Sequence, residues 1–281
     1  MIRPIALSEA HMECRSLAET LPVLTDLMAF GEVARGPGEV TVKHPNTDWL
    51  LTVHEGAEGF PDRPTHHHFG VRVESKPEVD AAWDYLNAHQ TEYGLLRLIP
   101  QVHRHGSYSI HFQEPGTNYW EIECYEDVLR KDSGGERLGA VRSRHWAEPL
   151  PESRFPGRGY VPQAFTHGTL GCSDAEAYGR FAEEVLGFDV HKAYATVRYI
   201  KNPASKHFVV CLQVDEPNRF SPNFRFTLKL DSPDAVEQAH AWLAVDKGGR
   251  GISELRPVEA KGAGASFLLR DMDGNWWEFA G

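Results

Sequence analysis

The chain has 281 residues, of which 41% are hydrophobic and 25% charged, the make-up of an ordinary globular protein with length for two domains. Its 29 Lys and Arg stand against 40 Asp and Glu, a formal charge of −11, which argues against a nucleic-acid binder with a basic face and against a polybasic membrane anchor. Cys14, Cys124, Cys172 and Cys211 are too sparse for a disulfide scaffold and form no Cys-x-x-Cys pair, so a structural zinc knuckle is not expected.

The opening residues MIRPIALSEAHMECRS lack an apolar signal core, and no run approaches the ~18 apolar residues of a membrane helix. A reducing cytoplasm is the expected compartment. SEAHMECRSLAETLPVLTDLMAFGEV then reads as a strand, a helix and a Phe-Gly turn entering a second strand. HFGVRVESKPEVDAAWDYL follows as an alternating strand, a Ser-Lys-Pro break and an amphipathic helix. IHFQEPGTNYWEIECYE is a strand, a turn with Gly and Asn, and a second strand. Residues 131–158 are rich in Gly, Pro, Arg and Ser and predict an extended linker.

The same sequence of elements then returns as FTHGTLGCSDAEAYGRFAEEVLGFDV, RFTLKLDSPDAVEQAHAWL and FLLRDMDGNWWEFAG. His11 lies 57 residues before His68 and His68 lies 53 before Glu121; His167 lies 58 before Arg225 and Arg225 lies 53 before Glu278. Such spacing points to duplication. The expected fold class is α+β: four βαβββ modules paired into two domains, each with a curved mixed sheet forming a cup. Modules 1 and 2 are assigned to 1–130 and modules 3 and 4 to 159–281.

Side chains alternate along a strand. His68, Gly70, Arg72 and Glu74 therefore share one face, and Tyr119, Glu121 and Glu123 share another; Phe69, Val71, Val73, Trp120, Ile122 and Cys124 oppose them and suit the core. With His11 opening the first strand, His11, His68 and Glu121 become the expected metal ligands. Two imidazoles and one carboxylate are the set that non-haem Fe(II) oxygenases use, leaving positions open for substrate and oxygen. His67 points to the opposite face from His68. Arg72, Tyr119 and Glu123 line the same cup and are candidates for recognising a substituent such as a carboxylate. Trp49, Trp83 and Trp120 are read as core or rim.

The repeats, His11, HHHFGVRV and PGTNYWEIE together resemble the vicinal oxygen chelate superfamily, and within it the type I extradiol ring-cleaving dioxygenases. The signature of that group is a His, a short gap, an apolar residue and Tyr, an acid, Pro, a turn and Glu. Here it reads His105 (or His103), Ile110-His111, Glu114-Pro115-Gly116-Thr117 and Glu121. Two positions depart: His111 stands where the family has Tyr, and Thr117 where it has Gly or Pro. The best-known members carry their metal in the second domain, whereas the triad read here lies in the first.

The resemblance implies two vicinal-oxygen-chelate domains and Fe(II), with Mn(II) accepting the same ligands. It implies O₂ as co-substrate and cleavage of a small catecholic or related dihydroxylated aromatic ring. His103 or His105 would be the acid–base group, and His111 would bond the substrate hydroxyl. No nucleic-acid or membrane partner is implied, and homo-oligomerisation is left open. Glyoxalase-like members add a fourth protein ligand; the alignment puts Leu51 at that place, with His54 three residues on if the alignment shifts. In the second domain Arg225 stands where His68 does. A guanidinium does not bind metal, so pairing of Arg225 with Glu278 and a metal-free, mainly structural domain are expected. Two other readings are a divalent-metal isomerase or lyase of the glyoxalase type and a non-catalytic small-molecule binder.

Overall fold

The computed structural model describes residues 2–56, 64–104, 107–125, 146–217 and 219–281, with the side chains of residues 103 and 104 excepted. The first module comprises β1 (Ala6–Cys14), α1 (Leu17–Pro22, continued by a π turn Val23–Leu27), β2 (Gly31–Gly36), β3 (Glu39–Lys43) and β4 (Leu50–Glu55). The second comprises β5 (His68–Arg72), α2 (Lys76–Ala88), β6 (Arg97–Arg104), β7 (Ser107–Gln113) and β8 (Tyr119–Tyr125). The third has β9 (Ala164–Cys172), α3 (Ala175–Phe181, with a π turn Ala182–Leu186), β10 (Asp189–Tyr194), β11 (Val197–Lys201) and β12 (Phe208–Gln213). The fourth has β13 (Arg225–Lys229), α4 (Pro233–Val245), β14 (Ile252–Leu255), β15 (Glu259–Lys261), β16 (Gly264–Asp271) and β17 (Trp276–Ala280). The expected βαβββ order is present four times, with β15 as an addition in the last. Among the described residues no helix is long and apolar enough to cross a membrane.

The two long helices begin for one reason. The Ser75 hydroxyl accepts the Glu78 N–H, and the Ser232 hydroxyl accepts the Ala235 N–H, with a proline in each first turn. Val79, Ala82 and Leu86 face inward on α2, and Val236, Ala239 and Leu243 do so at the same spacing on α4. Each buried Val or Leu contributes roughly 1.5–3 kcal/mol.

The chain folds as two compact units, Glu13–Gly168 and Thr169–Gly281 with the N-terminal segment through Met12. This differs from the expected 1–130 and 159–281 in the placement of two strands. Residues Ala6–His11 of β1 pair antiparallel with β13, from Ala6 opposite Lys229 to His11 opposite Arg225, inside the second unit. Residues Ala164–Gly168 of β9 pair antiparallel with β5 inside the first, with His167 opposite Gly70. The backbone ladder, which satisfies the strand N–H and C=O groups, decides the boundary rather than chain order.

The first unit contains a mixed ladder β9–β5–β8–β7–β6, with β5 and β8 parallel and the other neighbours antiparallel, and an antiparallel β2–β3–β4. The second repeats it as β1–β13–β17–β16–β14, with β13 and β17 parallel, and β10–β11–β12. Trp49 and Trp120 are fully buried, and Trp49 stacks on Phe165 at 4.4 Å between ring centroids, so both tryptophans belong to the core of the first unit.

The expected linker 131–158 is described from residue 146, and that part is packed rather than extended. Trp146 Nε1 donates to Glu74, the Leu150 amide donates to the Gln163 side chain at 2.7 Å, and Phe155 is buried with Ala29 and Val161. The reason lies in its apolar residues, Trp146, Leu150 and Phe155, which have a core to join.

Candidate metal centre

In the first unit, His167 on β9 is opposite Gly70 on β5, Gly70 is opposite Glu121 on β8, and Glu121 is opposite His111 on β7. One row across four strands therefore carries His167, Glu121 and His111, and His68 lies one pleat along β5 on the same face. His68 Nε2 is 3.4 Å and His167 Nε2 3.1 Å from Glu121 Oε2; His111 Nε2 is 3.6 Å from Glu121 Oε1. The rings of His111 and His167 stand edge-on to that of His68, with centroids 5.0 and 5.4 Å away. His68, Glu121 and His167 are each at most 9% exposed.

Gly70 makes this packing feasible. A Cβ at position 70 would lie 2.0 Å from His167 Cε1, so the imidazole occupies the space a side chain would need. The tautomers of both histidines follow from their other nitrogens. His68 Nδ1 lies 2.8 Å from the Thr65 carbonyl oxygen, to which only an N–H can bond. The Thr166 hydroxyl donates to the Gly70 carbonyl at 3.2 Å, so its lone pair faces His167 Nδ1 at 3.1 Å and accepts from it. In each ring Nε2 is therefore the atom that faces the carboxylate; it donates a hydrogen bond there while protonated and becomes a metal donor once that proton is lost. Imidazole nitrogens and a carboxylate that face one another in this way are a donor set that fits a divalent metal.

Charge is strongly coupled here. Burial opposes ionisation of Glu121, yet the His111 charge and the hydrogen bonds of His167 and His68 outweigh it and hold the carboxyl well below its usual range. Burial likewise disfavours a charged His167, but Glu123 and Glu121 overcome it and raise the imidazole to about 9. A metal takes the place of that proton when it binds.

The expected ligands divide. His68 and Glu121 come together with each other, and His111 stands beside them. His11 does not join this cluster: it belongs to the second unit, with Nε2 3.1 Å from Thr227 Oγ1, 3.6 Å from Glu278 and 3.7 Å from Glu9. His167 supplies the second imidazole instead. The backbone of His103 lies on β6 opposite Tyr108, and its side chain is outside what is described; His105 lies outside the described residues altogether. His54 Nδ1 sits 3.3 Å from Glu39, its register partner on β3, and Leu51 is fully buried in the core. Arg72 does not present its guanidinium as a substituent-binding group; it bonds Glu123 at 2.8 Å and lies over the Tyr125 ring at 4.5 Å.

In the second unit the same positions carry other side chains. β1 and β9 end at Cys14 and Cys172, and Glu9 faces Thr227 as His167 faces Gly70, so Glu9, not His11, is the counterpart of His167. Arg225 stands for His68 and Leu268 for His111, opposite Glu278. Arg225 Nε donates to Glu278 Oε2 at 2.9 Å, as expected, and Lys261 Nζ reaches its Oε1 at 3.2 Å. Two fixed cations neutralise the carboxylate that a metal would otherwise hold.

No protein-family model matches the chain, and no curated protein sequence matches it. Solved structures do. A presumed dioxygenase from Bacillus subtilis subsp. subtilis str. 168 superposes with a TM-score of 0.64 at 10% identity, covering 100% of this chain and 86% of that one. Glyoxalase I from Zea mays superposes with a TM-score of 0.61 at 13% identity, covering 99% and 92%. This chain has the vicinal oxygen chelate fold. At these identities the likeness extends to the fold alone, and the chemistry of this chain has to be argued from its own cluster.

Proposed function

We propose that the cluster on β5, β7, β8 and β9 is a divalent-metal centre and that the protein is an extradiol-type dioxygenase acting on a small catecholic or related dihydroxylated aromatic compound. The observation that carries the reading is the convergence of two imidazole Nε2 atoms on Glu121 Oε2, at 3.4 and 3.1 Å. His68, His167 and Glu121 would hold one side of the ion. Fe(II), or Mn(II) on the same ligands, supplies Lewis acidity and the electrons that activate O₂. His111 stands beside the same carboxylate and, in its neutral form, would accept the proton that a catechol hydroxyl gives up on binding. The sheet floor behind the cluster excludes water: Phe69, Trp120 and Ile122 are buried there. Substrate would be the small partner; neither nucleic acid nor membrane has a part in this reading.

The test is oxygen uptake by Fe(II)-loaded protein against a panel of catechols, with ring-opened product followed by absorbance. Uptake coupled to product supports the reading. A protein that binds one metal per chain and consumes no oxygen with any catechol overturns the dioxygenase assignment.

One observation favours a second reading. His111 Nε2 lies 3.6 Å from Glu121 Oε1, and His68, His111 and Glu121 form a group of three mutually close donors, to which His167 would add a fourth. Four protein ligands suit Lewis-acid chemistry on an enediolate, as in an isomerase or lyase of the glyoxalase type. Turnover of a 2-oxoaldehyde adduct under strict anaerobiosis would select it.

A further inference from the structure

The metal reading leaves one buried ion pair without a task. Arg72 and Glu123 are 3% and 1% exposed, and they meet on the same sheet face one pleat beyond Glu121. Burying a charge pair is weak support for stability in itself, so its neighbour matters. Glu123 Oε1, the oxygen that accepts from Arg72 Nη2 at 2.8 Å, lies 3.5 Å from His167 Nδ1.

Glu121, Glu123 and His167 also lie near enough together to form a three-donor group of their own. Two facts exclude Glu123 as a ligand in such a group. Its Oε1 is occupied by a guanidinium that stays charged and repels a second cation. The nitrogen of His167 that faces it carries a hydrogen, because the Thr166 hydroxyl already spends its proton on the Gly70 carbonyl. Glu123 therefore acts on a metal only through the imidazole.

We infer that Glu123, held by Arg72, is a positioning residue: it accepts from His167 Nδ1–H and thereby orients the ring and increases the donor strength of Nε2. This rests on the metal reading above. The chain of groups runs Arg72, Glu123, His167, metal, and partners of this kind change metal affinity by roughly 10–100-fold.

The experiment titrates Co(II) into the purified full-length protein and follows its visible absorption bands, which report both affinity and ligand field. Glu123→Gln keeps the shape and removes the charge; Glu123→Asp keeps the charge and the Arg72 pair but withdraws the oxygen from His167. Thr166→Val removes the neutral acceptor. Far-UV circular dichroism checks the fold of each. The expected result is Co(II) affinity about 10–100-fold weaker in Glu123→Gln, an intermediate loss in Glu123→Asp and a shifted spectrum in both. If Glu123→Gln fails to fold, Glu123→Asp carries the test alone, and unchanged affinity there overturns the inference. Wild-type affinity and spectrum in folded Glu123→Gln overturn it too, as does a loss confined to Thr166→Val. If the wild type itself binds no Co(II), the metal reading fails, and the inference with it, in a distinguishable way.

Discussion

The imidazole of His167 fills the space that a side chain at position 70 would need, and only glycine leaves that space free. Gly70 thus takes part in the candidate centre without offering a ligand atom. In the second unit the counterpart of Gly70 is Thr227, whose hydroxyl donates to Glu278 at 3.0 Å, and the opposing strand carries Glu9 in place of the imidazole. A Gly70→Ala substitution would place a methyl group 2.0 Å from His167 Cε1 and force the ring from its position. A misplacement on the order of 1 Å costs about 100-fold in rate where geometry sets the chemistry. Gly70→Ala is therefore expected to bind metal substoichiometrically and to lose at least that factor in any metal-dependent turnover. Elemental analysis of the purified variant is the check; full metal content would show that the ring has room to move.

Exchange of the two candidate imidazoles gives the second prediction. His167→Ala should lose the metal, and His11→Ala should keep it, because His11 is bonded to Thr227 in the second unit. Metal stoichiometry of the two variants, measured beside wild type, decides the matter; loss in His11→Ala with retention in His167→Ala would reverse the assignment made here.

That pair also shows how far the sequence reaches. The four modules, the two helices capped by Ser75 and Ser232, and the placing of His68 and Glu121 side by side were all readable, because each depends on local pattern or strand alternation. The second imidazole was not. His11 and His167 both lie within the first strand of a repeat, and repeat spacing leaves the two strands interchangeable. Which first strand pairs with β5 is decided by a ladder between segments about a hundred residues apart, and periodicity carries no record of that. A finer signal was present: Cys14 and Cys172 end the two strands, and aligning on them puts Glu9, not His11, opposite His167. The Arg225–Glu278 pair was legible for the opposite reason, since both residues belong to one module and a guanidinium beside a carboxylate has one obvious fate.

Acid should weaken the first unit through His44. This imidazole is fully buried; its Nε2–H donates to the Pro162 carbonyl at 3.1 Å, and its Nδ1 accepts the Asn46 amide at 3.1 Å, so the neutral ring satisfies both partners. Burial lowers its pKa from 6.5 to about 4, with the Pro162 hydrogen bond opposing and the Arg154 charge adding to it. The unfolded chain binds the proton below pH 6.5 and the folded one does not until about pH 4. Stability is then full above pH 6.5 and falls as pH drops towards 4, by roughly 3 kcal/mol across the window. His44→Gln retains a donor and an acceptor and lacks the titration. Urea midpoints at pH 7 and pH 5 should separate for the wild type by more than for His44→Gln; parallel shifts would remove His44 as the cause.

The turn between β7 and β8 holds the last prediction. Glu114 is fully buried and accepts from Thr20 Oγ1 at 2.8 Å and from the Asn118 amide at 3.0 Å, which fixes the turn. The corresponding turn between β16 and β17 does the same with Asp271, which accepts from the Tyr178 hydroxyl at 2.6 Å and the Asn275 amide at 2.9 Å. One of the differences between the two turns lies at the left-handed position. Gly274 has φ 92°, and Thr117 has φ 73° at the equivalent point, a left-handed conformation that a β-branched residue adopts at a cost of about 1–2 kcal/mol. The Thr117 hydroxyl is buried and has no hydrogen-bond partner among the described residues, which adds a desolvation cost and no compensating contact. Thr117→Gly removes both the strain and the orphaned hydroxyl, and the greater freedom of glycine in the unfolded chain offsets only part of the gain. The variant should be more stable than wild type by about 1 kcal/mol, seen as a higher urea midpoint with an unchanged slope. A lower midpoint would show that the threonine side chain stabilises the turn and would overturn this account.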